Sequence, residues 1–469
     1  MIFAFIIFFL NCVFMFAFLS KYKNMDMLNG SLWDKILVFA IPLALTSVLQ
    51  ELYNAADVAV LGNFIGSDAI AAVGTNIPII GLIVNLFVGV ALGANVVVAR
   101  YLGMKDLENA SNAVHTAFFL ALLVGFLISL IGVPLADSIT QMLGVPENVA
   151  ERSTTYLRVY LLGMPFLALY NFEAALFRSR GDTNSPLIAL VIASIFNIIG
   201  NIVVVKYLNM DTGGVALTTV LANGVSSLFL FCKMRSSTDF LHIDYKKILK
   251  PQSIKARAII KIGLPAGIQG MVFSLSNLLI QSAINSLGTD AMAASAAGFT
   301  IEINVYCLIN AFGLAATTFI SQNYGAKNLT RCKDVIKVCF WLDMALTTIF
   351  GGFVLIYCRE LLGLLADTDA VIAIGVIRIF AVVGPDYLNV AMEIMSGTMR
   401  GFGYSLGPAI MTVIGICSFR VFWVYTAFAS DPTYTTLMMC YGLSWTFTTI
   451  LLFIIFVIHQ RKIFKSYKA

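Results

Sequence analysis

An aspartate inside an apolar helix is the first residue in this sequence that points to chemistry. Residues 46–66, TSVLQELYNAADVAVLGNFIG, are compatible with lipid except for a few polar side chains. Gln50, Asn54 and Asp57 lie at positions i, i+4 and i+7 and share one face of the predicted helix, with Thr46 a turn earlier. A carboxylate near the bilayer centre costs about 2.5–3.5 kcal/mol to insert and usually marks an ion or substrate site. We therefore expect Asp57 to face a cavity; the alternative is a packing role, satisfied by a neighbouring helix.

Two further predicted helices offer polar partners for Asp57. Asn197 and Asn201 lie at i and i+4 in the fifth membrane helix, and Thr219 lies in the sixth. Neutral oxygens beside a single carboxylate suit a small hard cation. Such groups also hydrogen-bond between helices, at roughly 0.6 kcal/mol each. Beside Asp57 the ion-coupling interpretation is favoured, with at most a transient Na⁺ as the metal.

Other polar residues predict a substrate cavity. Asp386, Asn389 and Glu393 lie at i, i+3 and i+7 of the tenth helix, on one face, which predicts that they line water or a partner helix. An ion pair within a lobe, made with nearby arginines, is the alternative. The candidate cavity residues are Gln50, Asn54, Glu173, Glu302, Asp386, Asn389 and Glu393.

The composition is that of a membrane protein. Of 469 residues, 59% are hydrophobic and 12% are charged, and the mean hydropathy is +0.89, which excludes a water-soluble globule. Continuous apolar runs of about 20 residues predict an all-α protein with twelve transmembrane helices, not an outer-membrane barrel. The predicted spans are 34–53, 69–90, 112–134, 153–177, 186–206, 213–233, 258–284, 291–320, 336–357, 371–398, 406–429 and 435–459.

The first 24 residues are set apart. Residues 1–19, MIFAFIIFFLNCVFMFAFL, lack the basic start and the cleavage site of a signal peptide. They form either an additional hydrophobic span or a stretch upstream of a true start at Met25 or Met27, and we favour the second alternative.

The same unit occurs twice in the chain, at an offset of about 220 residues. Pro42 corresponds to Pro265, and GSDAIAA at 66–72 corresponds to GTDAMAA at 288–294. Further pairs are Pro165 with Pro385, Arg180-Gly181 with Arg400-Gly401, and Pro186 with Pro408. We expect two six-helix lobes, 25–233 and 257–469, joined by a basic linker at 234–256. Because each repeat has an even number of spans, the repeats are parallel, with a substrate site between them and alternating access by rocking.

The basic residues predict the orientation. Most of the 30 Lys and Arg residues fall in loops on the side where the first predicted span begins, and cytoplasmic loops are enriched in them. We therefore expect both termini of the core in the cytoplasm and the protein in the plasma (inner) membrane. The net charge of +5 then reflects topology and not nucleic-acid binding.

No sequence motif indicates an enzyme. The chain has no G-x-x-x-x-G-K-[ST], HExxH or GxSxG pattern, so ATP hydrolysis and hydrolase chemistry are not expected. Its eight cysteines form no CxxC pair, and we expect no cofactor. Transport must then use an ion gradient or the gradient of the substrate itself.

A family resemblance rests on motifs that occur in a fixed order. They are the first-helix pattern from Pro42 to Gly62, AVGTNIP at 72–78, ARYLG at 99–103, RSRGDTNSP at 178–186, and Arg420 in the eleventh helix. With them, residues 28–469 resemble the multidrug and toxic compound extrusion (MATE) family, in its DinF-like bacterial branch. The resemblance implies export of small cationic amphiphilic compounds in exchange for protons or sodium. A monomer suffices for this mechanism, and we expect one.

The resemblance also implies roles for single residues. In one branch a first-helix aspartate acts with an Asn-x-x-x-Asp pair of the fifth helix and a threonine of the sixth, which fall here on Asp57, Asn197, Asn201 and Thr219. Asn201 stands where that branch has aspartate, which favours proton coupling over sodium. The repeat position that matches Asp57 is apolar, so we expect coupling in the first lobe.

A flippase for a lipid-linked oligosaccharide or another lipid, from the same superfamily, is the alternative function. Such proteins carry cationic cavity residues that hold a pyrophosphate, whereas the predicted cavity here is acidic or neutral apart from Arg420 and arginines at helix ends. In the favoured mechanism, protonation of Asp57 changes the packing of the first helix near Pro42 and lowers the affinity for substrate.

Overall fold

The computed structural model describes residues 25–366 and 368–466, and these ranges contain helices and no strand. The hydrophobic stretch considered as an additional span lies outside the described residues. The first repeat consists of α1 (Trp33–Phe64), α2 (Ser67–Gly74), α3 (Ile77–Gly103), α4 (Leu107–Met142), α5 (Glu147–Leu162), α6 (Met164–Ser179), α7 (Asn184–Tyr207) and α8 (Thr212–Arg235). A short α9 (Tyr245–Ile248) follows. The second repeat consists of α10 (Ser253–Asn285), α11 (Thr289–Gly325), α12 (Leu329–Ile356), α13 (Cys358–Gly363), α14 (Asp369–Val383), α15 (Asp386–Gly401), α16 (Leu406–Phe428) and α17 (Tyr434–Ser466).

The expected all-α membrane architecture is confirmed. In the described residues, 11 helices are long and apolar enough to cross a bilayer, with α14 and α15 counted together, and the pair α5 and α6, bent by 49°, makes a twelfth. The bend of the α5–α6 pair lies at Pro165, and the break between α14 and α15 lies at Pro385, its counterpart in the repeat. Proline lacks the N–H that would continue the helical hydrogen bonds, which explains why both repeats break there.

The second membrane helix begins later than the sequence predicts. Residues Ser67–Gly74 form the separate helix α2, and α3 runs from Ile77 to Gly103 instead of ending near residue 90. Asn76 lies in the turn between them, where its amide donates to the carbonyls of Ala72 and Ser153, each at 3.0 Å. Hydropathy alone does not detect a turn that is stabilised by a buried side chain.

Helix α1 packs against both lobes. Its first half belongs to the core of the second lobe, where the rings of Phe39 and Phe319 meet edge to face at 5.4 Å. The segment before it docks there too, because Asn323 and Arg331 donate to the Met27 carbonyl at 3.2 and 3.1 Å. The second half of α1 packs on α7 of the first lobe. A shift of α1 therefore changes the packing of both lobes.

The linker lies on one end of the molecule, which we call the linker side. It spans residues 236–252, because α8 continues to Arg235 and α10 begins at Ser253. Its backbone docks on α4: Asp244 N–H donates to His115 Nε2 at 2.9 Å, and Gln252 N–H donates to Thr116 Oγ1 at 3.2 Å. The linker is thus bound to the first lobe.

Helices α3 and α10 touch backbone to backbone where the two lobes meet. We call this contact, formed by Gly89 and Gly93 of α3 with Gly263 and Gly267 of α10, the inter-lobe seam. A Cβ on Gly89 would overlap the backbone of Gly267, and a Cβ on Gly263 would lie 2.6 Å from Val90 Cα. Close approach of helices in lipid depends on such small residues.

The seam continues on the linker side in the hydrogen bonds from Asn95 to Thr318 Oγ1 (2.8 Å) and from Ser321 to the Val96 carbonyl (2.6 Å). The lobes are therefore closed on that side.

We expect Gly89→Ala to lower the thermal stability of the purified protein, because the added methyl group separates α3 from α10 at a cost of about 1–3 kcal/mol. Gly81→Ala is the matched control on the same helix, since nothing lies within 4 Å of its Cβ position. Melting temperatures in detergent measure both variants. Equal melting temperatures would contradict a seam that depends on close packing.

Candidate functional site

Asp57 lies in a hydrogen-bonded network inside the first lobe. Its Oδ1 accepts from Asn201 Nδ2 at 2.6 Å, and its Oδ2 lies 3.1 Å from Thr219 Oγ1. Asn201 also donates to Asn197 Oδ1 at 3.1 Å, and Asn197 donates to Thr219 Oγ1 at 3.3 Å. All four side chains are buried. The structure thus brings together the four residues predicted for ion coupling, on α1, α7 and α8.

The hydroxyl of Thr219 can serve either charge state of Asp57. Its single proton has two acceptors in range, Asp57 Oδ2 and the Val215 carbonyl at 2.9 Å. If Asp57 is charged, Thr219 donates to it. If Asp57 carries a proton on Oδ2, that proton is donated to Thr219, and Thr219 donates to Val215. The network therefore offers Asp57 a hydrogen-bond partner in either charge state.

The surroundings of the Asp57 network are aromatic and closed. Tyr53, one turn before Asp57, donates to the Thr219 carbonyl at 3.4 Å, and Tyr156 and Tyr160 stack on each other at 5.9 Å between ring centroids. Asn201 Oδ1 is buried and accepts no hydrogen bond among the described residues. Directly after it, α7 continues as a π-helix over Val203–Tyr207, a distortion that is frequent at functional sites.

The junction between α6 and α7 fixes the helix that carries the two asparagines. Asp182 accepts from the backbone N–H of Ser185 at 2.9 Å, and it forms ion pairs with Arg180 (3.2 Å) and Lys233 (3.5 Å). Gly181 has φ +93°, a left-handed conformation that only glycine adopts at little cost. The RSRGDTNSP motif is thus a structural anchor that joins α6, α7 and α8.

A second site is a cavity of about 390 Å³ between the lobes, which we call the central cavity. Three of the predicted cavity residues, Gln50, Asn389 and Glu393, line it. Its charges are mixed, because Arg400 of α15 lies 3.7 Å from Glu393 and donates to Gln269 at 3.3 Å. The other lining residues come from α1, α3, α6, α10, α11, α15 and α16.

The structure places the other four predicted cavity residues elsewhere. Asn54 is exposed beyond the cavity, and Glu173 is fully buried in the first lobe. Asp386 is buried and accepts from Asn389 at 2.9 Å. Glu302 forms a buried two-point ion pair with Arg378, at 2.5 and 3.0 Å. Glu302 is thus paired within the second lobe and does not line the cavity.

Sequence reasoning did not assign three charged residues to the central cavity: Glu51 of α1, Arg178 of α6 and Arg400 of α15. A signal for Glu51 was present, because Ser47, Gln50 and Glu51 form a polar stripe at i, i+3 and i+4. This stripe turns toward the cavity, whereas Tyr53 and Asp57 turn into the first lobe. Glu51 has no ion pair within 4 Å in the part of the chain that the structure describes. No group of residues suited to a metal occurs there either.

Two parallel six-helix lobes around a central cavity, with a buried polar network in one lobe, define a polytopic membrane transporter and not an enzyme. The family model MatE matches residues 42–203 and again residues 265–426, which are the two repeats. The chain therefore belongs to the MatE family, and the MATE resemblance is confirmed.

Individual relatives agree with this assignment. The chain is 26% identical over 397 residues to the probable multidrug resistance protein YoeA of Bacillus subtilis, covering 83% of this chain and 86% of that protein. It is 22% identical to the multidrug export protein MepA of Staphylococcus aureus, covering 80% of this chain and 83% of that one. A solved outward-facing structure of a multidrug resistance MATE family transporter superposes with TM-score 0.88 at 21% identity, over 94% of this chain and 99% of that chain. At that identity the structural likeness shows the fold alone.

We expect Thr219→Val to lower the stability by about 1–3 kcal/mol, because it leaves Asp57 Oδ2 without its donor. Thr218→Val is the matched control: Thr218 is buried on the same helix, and its hydroxyl donates only to the Gly214 carbonyl, at 3.0 Å. Thermal unfolding of the two variants compares them. If both lose the same stability, the bond to Asp57 contributes nothing.

Proposed function

We propose that this protein exports cationic amphiphilic compounds in exchange for protons, and that Asp57 carries the exchanged proton. The observation that carries the proposal is the buried hydrogen-bonded network of Asp57, in which the carboxyl group has a partner whether it is charged or protonated. A buried ionisable group in a membrane protein is a functional candidate by default. The multidrug names of its relatives support drug export.

The donor set favours a proton over sodium. A sodium ion needs several free oxygen ligands, and it is repelled by N–H groups that point at the same place. Here Asn201 Nδ2 points at Asp57 Oδ1 and Asn197 Oδ1. The network holds a single carboxylate, since Asn201 is neutral. Protonation needs only one oxygen, so it fits this network better.

Helix α1 connects the proposed proton site to the proposed substrate site. It carries Asp57 in the first lobe, Gln50 and Glu51 at the central cavity, and Phe39 in the core of the second lobe. Pro42 lies between the last two regions and interrupts the helical hydrogen bonds. A change of charge at Asp57 that alters the packing of α1 then changes the cavity wall. Exchange requires that the proton and the substrate prefer different positions of this helix.

We propose that the Glu51 carboxylate attracts the cationic substrate. It faces the cavity and has no ion pair among the described residues, whereas the charge of Glu393 is offset by Arg400 at 3.7 Å. An unpaired carboxylate in a partly desolvated cavity attracts a cation more strongly than one at the surface.

The orientation follows from the basic residues. We propose that the linker side faces the cytoplasm of a plasma membrane, because the linker and the loops beside it hold most of the lysines and arginines.

The central cavity and the Asp57 network are each complete within one chain, so a monomer suffices for the proposed exchange.

The test is efflux of a fluorescent cationic dye from proteoliposomes, with a pH gradient and a sodium gradient imposed separately. We expect the pH gradient to drive transport by the wild type and not by Asp57→Asn. Asp343→Asn is the matched control, because Asp343 is also buried in a membrane helix but lies in α12 of the second lobe, where it accepts from Thr347 at 3.2 Å. This control should keep its response to the gradient.

Two outcomes contradict the proposal. Transport by Asp57→Asn at the wild-type rate under a pH gradient would remove Asp57 from the coupling. Transport that responds to neither gradient, in a folded sample, would favour the lipid flippase, and fluorescent lipid analogues would then replace the dye.

We expect Glu51→Gln to raise the half-saturating concentration of a cationic dye about tenfold or more, since it removes a carboxylate that has no ion pair among the described residues. Efflux of a neutral compound of similar shape should change little, which separates the loss of attraction from a loss of folding. Equal effects on the two compounds would show that Glu51 does not select for charge.

A further inference from the structure

Arg420 of α16 is a buried cation that forms no ion pair within the described residues. Its side chain is fully buried, and its one hydrogen bond runs from Nη1 to Asn277 Oδ1, at 2.8 Å. Its Nε and Nη2 have no hydrogen-bond partner among the described residues. The guanidinium lies 4.3 Å from the ring centroid of Tyr441 and 5.4 Å from that of Phe273. Aromatic faces attract a cation but do not satisfy its N–H groups.

The charges around Tyr441 do not balance. Arg378 lies 5.9 Å from the same ring, so two guanidinium groups share one tyrosine. The carboxylate of this region, Glu302, is already held by Arg378 through two hydrogen bonds. Glu302 is therefore not available to Arg420, and a buried guanidinium without an anion is costly.

The repeat relates this cluster to the Asp57 network. At the offset that links the two lobes, Asn277 corresponds to Asn54, Arg420 to Ile198 and Tyr441 to Thr219. Helices α10, α16 and α17 are thus the second-lobe copies of α1, α7 and α8. The same three helices thus carry the Asp57 network in the first lobe and the Arg420 cluster in the second, although only Thr219 of the three equivalent residues belongs to that network.

The backbone of α16 is distorted on both sides of Arg420. The α-helical turn Phe419–Trp423 lies between π-helical stretches at Val413–Ser418 and Val424–Phe428. In the first lobe, α7 has its π-helical stretch directly after Asn201. π-helical turns are rare and often occur at functional sites. Both copies of this helix therefore carry the same kind of distortion, close to Asn201 in α7 and on both sides of Arg420 in α16.

Arg420 lies next to the central cavity. Phe273 and Ile416 line the cavity, and Ile416 precedes Arg420 by one helical turn. The Phe273 ring covers the guanidinium on that side. A rotation of this ring would open a path from the cavity to the unpartnered N–H groups.

We propose that Arg420 and Asn277 form a binding site for a small monovalent anionic group in the second lobe. The group is a free chloride ion or the carboxylate of a zwitterionic substrate. Arg420 Nε and Nη2 donate to it, and the Asn277 amide holds the guanidinium in place. A planar guanidinium with two free N–H groups suits a carboxylate, and its charge also suits a halide. Binding of the anion needs no ion gradient, so the test of this site does not depend on whether the protein exchanges protons.

Thermal unfolding of the purified full-length protein tests the site, in sodium chloride, sodium acetate or sodium gluconate at equal ionic strength. We expect chloride or acetate to raise the melting temperature saturably relative to bulky gluconate. Asn277→Asp places a carboxylate beside Arg420 and should abolish this response. Asn54→Asp, which adds the same charge at the repeat-equivalent position of α1, is the matched control and should keep it.

A second measurement distinguishes the two sources of the anion. A zwitterionic compound with a carboxylate and its methyl ester are titrated in chloride-free buffer against the wild type and Asn277→Asp. At least tenfold tighter binding of the acid, lost in the variant, assigns the site to substrate. A chloride response without this preference assigns it to the free ion.

Two results would overturn the proposal. One is a wild type that shows neither the salt response nor the preference for the acid. The other is an Asn277→Asp variant that responds to the salts and compounds as the wild type does. Arg420 would then be held by Asn277 and the aromatic rings alone.

Discussion

A charge inside a lipid-spanning bundle must receive partners from neighbouring helices, because the bilayer offers no water. This constraint explains the polar contacts of both lobes. Asp57 receives its hydrogen bonds from α7 and α8, and the Glu302 carboxylate is held by Arg378. Each such contact ties together helices that are distant in sequence. The ionisable residues thus determine which helices must stay adjacent while the lobes move.

The two lobes share one backbone arrangement but carry buried groups of opposite charge. Both repeats break at a proline, and both carry a π-helical distortion in the helix that begins after the Arg-Gly pair. The polar side chains on the equivalent helices differ: one lobe holds a carboxylate network, and the other holds a guanidinium that has no ion pair among the described residues. Duplication fixes the backbone, and the polar interior of each copy then changes independently.

The sequence predicts the parts of this structure that depend on periodicity. Long apolar runs predict the membrane helices, the repeat predicts the two lobes, and the spacing of polar residues places Asp57 near Asn201 and Thr219. It does not predict which way a polar side chain turns when several faces of a helix are polar. Glu51 and Asp57 lie on the same helix, yet one faces the cavity and the other the lobe interior. The pairing of Glu302 with Arg378 likewise depends on how α11 packs against α14, which local pattern does not contain.

The packing of α1 gives the proposed exchange a physical basis. The lobes are joined at the inter-lobe seam, where α3 and α10 contact through glycine and small movements are strongly resisted. Helix α1 crosses from one lobe core to the other and packs through bulky side chains such as Phe39, which can repack without overlap of backbones. A change of charge at Asp57 is therefore transmitted more easily along α1 than across the seam. In the proposed mechanism the seam restricts how the lobes can move relative to each other. The packing of α1 then makes one arrangement of the lobes more favourable when Asp57 is protonated.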